Sequence, residues 1–167
     1  MRFPSRRLLL ACAAAAASVL PRGRSNAANM QTNPARPNIV GTWKLVGVIA
    51  RDSDGKELPK PFGPKGMGII TLNADGRMMV VLCDGRPALP EGTVREYGSY
   101  RGNYTFDGQT LVTRVDASSN AKLIGGDQER KVRFEGKRIV LIPPPVLING
   151  VTQLGELYWE RISSMPA

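Results

Sequence analysis

The chain has 167 residues, 42% of them hydrophobic and 22% charged, which is enough for one domain with an apolar core and crowded for two. Histidine is absent, and this excludes Ser-His-Asp triads, His-activated thiols, histidine acid/base chemistry and His-rich metal sites. The formal charge of +9 is uneven: Arg2, Arg6, Arg7, Arg22 and Arg24 lie in the first 27 positions, where no acid occurs, and the remainder sets 18 basic residues against 14 acidic ones. A surplus that small favours solubility and mild attraction to anions without demanding a polyanionic partner.

Residues 1–27 have the anatomy of an export signal: a basic start, an apolar stretch from Leu8 to Leu20, a Pro-Arg-Gly break, and small residues ending at Ala27. The stretch is shorter than the ~20 residues that a membrane-spanning helix needs. Ser5-Arg6-Arg7-Leu8-Leu9-Leu10 resembles a twin-arginine signal, with general secretion as the alternative. Leu9-Leu10-Ala11-Cys12 mimics a lipoprotein cleavage box, but cleavage there would leave only Leu8 to Ala11 as the apolar core, so an unmodified N-terminus near Ala28 is expected. A start at Met30 is the other possibility. The address implied is periplasmic or secreted. Removal of the leader takes Cys12 with it and leaves Cys83 alone, read as a buried thiol rather than a nucleophile.

Residues 28–38 are polar, carry Pro34 and Pro37, and read as a flexible spacer. The domain is expected from 39 to 162, with 163–167 as a tail. Asp54-Gly55, Asp75-Gly76, Asp84-Gly85, Asp107-Gly108, Glu135-Gly136 and Asn149-Gly150 mark chain reversals, because glycine permits the positive φ of tight turns. Between them lie eight short, β-branched runs: 41–51, 66–72, 77–83, 97–106, 110–117, 128–135, 138–142 and 152–162. No helix is expected after the leader. Eight antiparallel strands joined by short hairpins predict an all-β, up-and-down barrel with room inside for one small ligand; a sandwich is the alternative.

Gly41-Thr42-Trp43 after the turn Pro37-Asn38-Ile39-Val40 resembles the G-x-W start of lipocalins and other calycins. Pro61-Phe62-Gly63-Pro64, the segment Gly68 to Met78, Gly125-Gly126-Asp127-Gln128-Glu129-Arg130 and Leu157-Tyr158-Trp159-Glu160-Arg161-Ile162 follow the order and spacing of the small bacterial and fungal lipocalin-like domains. The resemblance departs at Leu123, where those proteins often have tryptophan, at Thr113 and Arg114, where they have histidines, and in a shortened stretch from Asp84 to Glu96. It implies a barrel that carries a small, mainly hydrophobic molecule. A cofactor-free isomerase or cyclase in the same cavity, or an envelope protein with a solid barrel and an outer interaction surface, are the alternatives. It also implies that Arg161 crosses Trp43 near Gly41 as a structural signature.

In 128–135, Gln128, Arg130, Val132 and Phe134 share one face, while Glu129, Lys131, Arg133 and Glu135 share the other. If Val132 and Phe134 face inward, period two carries Gln128 and Arg130 inward too. Arg130 would then pair with an internal acid or carbonyls, or orient the carboxylate or carbonyl end of a ligand. The expected ligand-binding residues are Gln128, Arg130, Tyr100, Tyr104 and Phe134, with Leu111, Met79 and Val81 in the apolar lining. No catalytic residue, metal or cofactor is indicated. Glu156 and Glu160 share a strand face and read as solvated. The cluster Arg130, Lys131, Arg133, Lys137 and Arg138 is divided between two faces and lacks aromatic partners, which disfavours nucleic acid. A monomer without a transmembrane segment is expected.

Overall fold

The computed structural model describes residues 37–163. The leader, all of the spacer before Pro37, and residues 164–167 lie outside the described residues. Nine strands occur: β1 (Gly41–Arg51), β2 (Gly66–Leu72), β3 (Arg77–Asp84), β4 (Tyr97–Phe106), β5 (Thr110–Ser118), β6 (Asp127–Glu135), β7 (Arg138–Ile142), β8 (Val146–Ile148) and β9 (Val151–Ser163). β1 to β7 pair in chain order, β7 pairs with β9, and β9 returns to β1, so eight antiparallel strands close into a barrel. Closure pairs every strand edge within the cylinder.

Two elements depart from the sequence reading. β8 is an additional strand that pairs only with the start of β9 and stands outside the cylinder. Ala121–Leu123 forms one 3-10 turn, capped by the Asn120 side chain accepting from the Lys122 N–H. Both occupy segments too short for a periodic signal.

One end of the barrel is made by tight turns. Asn73 to Gly76 joins β2 to β3 with Gly76 at φ 80°, and Asp107 to Gln109 joins β4 to β5 with Gly108 at φ 108°. The Asp107 carboxylate accepts the N–H groups of Gln109 and Thr110, both at 2.7 Å, which fixes that turn before the strands depart. The Trp43 indole donates to the Ile39 carbonyl at 3.0 Å, and the Arg161 guanidinium lies 4.1 Å from the Trp43 ring centroid. Arg161 also donates to the carbonyls of Val40 and Asn38, the latter at 2.6 Å. Burial in this seat depresses the guanidinium pKa, but an arginine remains charged, so the ring face and the carbonyls replace its hydration. Ile39, Trp43, Leu45, Leu72, Met78, Leu111 and Ile139 are buried and belong to one apolar core.

Strand parity in β3 differs from the expectation. Met78 and Val80 are buried, whereas Met79 is exposed, so Met79 and Val81 face outward and Leu82 completes the inner row. The run Met78 to Leu82 is apolar on both faces, and its alternation therefore carried no information about which side was inside.

Candidate functional site

Above the packed half, the barrel interior opens into a cavity of about 370 Å³. That volume lies at the small end of the range for enclosed organic ligands. Its floor and wall are apolar: Ile70, Val80, Leu82, Leu141, Leu157 and Trp159. The rim comes from loops and strand ends, with the polar Ser118, Ser119 and Asn120 and the apolar or aromatic Pro61, Phe62 and Tyr97. No Asp, Glu or Lys is among the lining residues.

Each inward polar group is positioned by its strand. β6 alternates as expected, placing Gln128 and Arg130 at the cavity wall. The Arg130 guanidinium donates to the carbonyl of Glu129 at 2.5 Å and to the Gln128 side-chain oxygen at 3.4 Å. No carboxylate pairs with it among the described residues. Tyr100, on β4, lines the same space, and burial raises its phenol pKa while nearby Arg130 opposes that shift. The hydroxyl is therefore a neutral donor at pH 7, and no hydrogen bond joins it to another described residue.

Trp159 adds a group that the expected site omitted. It is 1% exposed, lines the cavity, and its indole N–H has no hydrogen-bond partner among the described residues. An unpaired buried donor costs about 1 to 3 kcal/mol. The ring has space because β2 presents Gly68: a Cβ there would lie 2.6 Å from the Leu82 side chain and 3.4 Å from the indole. Period two along β9 puts Leu157, Trp159 and Arg161 on one face, opposite Glu156 and Glu160. The signal for Trp159 was present, but nothing local distinguished a cavity wall from solid core.

The structure brings Gln128, Arg130 and Tyr100 together at the cavity and separates Tyr104 and Phe134 from it. The Tyr104 hydroxyl donates to the Asn73 carbonyl at 2.8 Å, next to the β2–β3 turn. Phe134 is exposed near the tight-turn end, its ring 6.2 Å from that of Phe106, beside a depression also lined by Trp43 and Arg161. Tyr104 packs against the core and Phe134 against Phe106; their height along the barrel places both at the end opposite the cavity. Glu156 and Glu160 lie on the outer wall, Glu156 held by the two terminal guanidinium nitrogens of Arg133 at 3.1 Å and Glu160 by Arg138 at 3.4 Å.

One side of the mouth is locked by charge. Asp84 is 3% exposed and takes a forked bond from Arg86, at 2.6 Å to the nearer nitrogen, which lowers its carboxyl pKa. Gly63, at φ 70°, passes so close that a Cβ would sit 2.7 Å from the Asp84 oxygen. Next to it, Phe62 adopts φ 64°, a left-handed conformation unusual for its type, with its N–H bonded to the Glu96 carboxylate at 2.5 Å. These contacts hold the Phe62 ring over the cavity, where Gly98 leaves room for it.

The sequence profile of the lipocalin-like domain family matches residues 40–162. The chain belongs to that family. No curated protein and no solved structure matches it. The lipocalin-like barrel suits small-molecule binding in general, and the matched span contains the cavity and its tight-turn end together. Among the described residues of this lipocalin-like chain, no helix is long and apolar enough to cross a membrane, and no three metal-ligating side chains converge.

Proposed function

We propose that the protein binds a small, mainly hydrophobic molecule with a carboxylate or carbonyl at one end, the apolar body lying against Ile70, Leu141 and Trp159. The observation that carries this reading is the coincidence, in one apolar cavity beside the Trp159 ring, of the Arg130 guanidinium without a carboxylate and the Tyr100 hydroxyl without a hydrogen-bond partner among the described residues. Acceptor atoms of a ligand would satisfy them, and a charge-assisted bond to Arg130 is the strongest of the set. Residues 1–27 support an exported, periplasmic or secreted carrier. A cavity without a carboxylate, and with a phenol that burial keeps protonated, offers little acid/base chemistry, so binding is favoured over isomerisation or cyclisation.

Titration with decanoate, followed by Trp159 fluorescence, tests this. Decanoate should bind and decanol should bind more weakly, by roughly tenfold or more for a lost charge-assisted bond. Arg130→Met should erase the difference between the two probes while preserving the fold. Equal affinities in the parent protein, or an unchanged preference in Arg130→Met, would overturn the assignment of the anchor.

A further inference from the structure

From Ile139 to Gly155 the chain carries no charged residue. The middle of that run leaves the barrel as the hairpin of β8 with the start of β9, Leu147 opposite Thr152 and Ile148 opposite Val151, turning at Asn149-Gly150. Side chains alternate across a two-stranded ribbon, so Leu147 points to one face while Val146 and Ile148 point to the other. All three are nevertheless exposed, Leu147 by 72%, Val146 by 53% and Ile148 by 49%, and Val151 by 42%. Exposed apolar side chains therefore stand on both faces of the ribbon, beside the half-buried Thr152 and Gln153.

We propose that this hairpin inserts into the interfacial layer of a phospholipid bilayer, and that it does so without needing anionic headgroups. A flat protein partner would cover one face of the ribbon, whereas a lipid interface receives both. These side chains together offer on the order of 400 Å², about half of the ~800 Å² that each partner buries in a standard protein interface, too little for a stable second copy. Pairing along the free edge of β8 is also blocked: the strand has three residues, and Pro143-Pro144-Pro145 before it supply no N–H groups to lengthen a ladder. The backbone of that edge needs hydration, which sets the depth at the headgroup boundary rather than in hydrocarbon. No lysine or arginine interrupts the run, so the attraction is apolar. The hairpin springs from the open end, where Pro143 lines the cavity as well as the groove containing Leu154 and Gly155. Insertion would hold the mouth against the membrane, whatever the cavity contains.

The test uses Leu147→Trp in the full chain with phosphatidylcholine vesicles. Trp43 and Trp159 are buried, so the introduced indole reports the hairpin even if residues 1–27 bind lipid themselves. Its emission should shift to the blue and be quenched by lipids brominated near the headgroup. Adding Ile148→Asp and Val151→Asp, both at exposed positions, should weaken this response roughly tenfold or more. Unchanged emission would overturn the proposal. So would a shift that follows protein concentration with a doubled mass, or one confined to anionic vesicles and abolished at ~0.5 M salt. Arg130→Met should leave the vesicle response intact, so failure of the hairpin and failure of the cavity anchor are read separately.

Discussion

At the end where Trp43 meets Arg161, the strands are joined by turns of two to four residues, while at the other end the connections run from eight to fourteen. The short-turn end carries a surface depression lined by Phe134, Trp43 and Arg161, and the polar groups there have protein partners: the Trp43 indole takes the Ile39 carbonyl, Tyr104 takes Asn73, and Arg161 takes Asn38 and Val40. The long loops instead surround a cavity lined by Trp159, whose indole N–H has no partner among the described residues, and by Arg130, which has only uncharged ones among them. The same barrel therefore contains two tryptophan–arginine regions with opposite states of satisfaction. Satisfaction marks the end that maintains the fold, and the polar groups left without charged partners lie at the end where we propose that a ligand binds.

The largest expected effect breaks the tight-turn end. Trp43→Ala removes a buried indole and should cost about 3 to 5 kcal/mol, read as a lower midpoint in urea, with decanoate affinity of the folded fraction unchanged. Arg161→Ala removes the cation over that ring and two carbonyl bonds; a loss of about 1 to 2 kcal/mol is expected, again without an effect on binding.

The ion pair at the mouth is sharpened by pH. The Asp84 carboxyl has its pKa lowered by Arg86, so its stabilising contribution is complete above the unfolded value of about 3.9 and is lost as pH falls through the depressed folded value. Thermal melts from pH 7 to pH 2 should show Asp84→Asn less stable than the parent at neutral pH, with the two converging in acid. The other carboxylates are common to both proteins and cancel in that difference. The smallest effect belongs to the outer wall: Arg133→Gln breaks an exposed bond to Glu156 and should change stability by less than about 1 kcal/mol, shrinking further with salt.

The barrel was legible because its strands are separated by Asp-Gly and Glu-Gly turns and because β6 alternates cleanly between Arg130 and Lys131, Val132 and Arg133. The cavity lining was legible only in part. The inward placement of Gln128 and Arg130 follows from parity in β6, but parity gives a face and not a height along the barrel, so the same pattern groups Phe134, at the opposite end, with them. β3 was read one residue out because both of its faces are apolar. Phe62 reaches the cavity from a loop held by Asp84, Gly63 and Glu96, contacts between residues far apart in sequence that no periodic pattern announces. β8 escaped notice because three residues beside a proline block do not form a pattern.

The contrast between the two ends is tested most directly by the indole N–H resonances of the chain, which has two tryptophans. In ¹H–¹⁵N spectra recorded during a decanoate titration, the Trp159 resonance should move to saturation, while that of Trp43, already bonded to Ile39, should stay in place. A stationary Trp159 resonance at saturating decanoate, or a moving Trp43 resonance, would contradict the account.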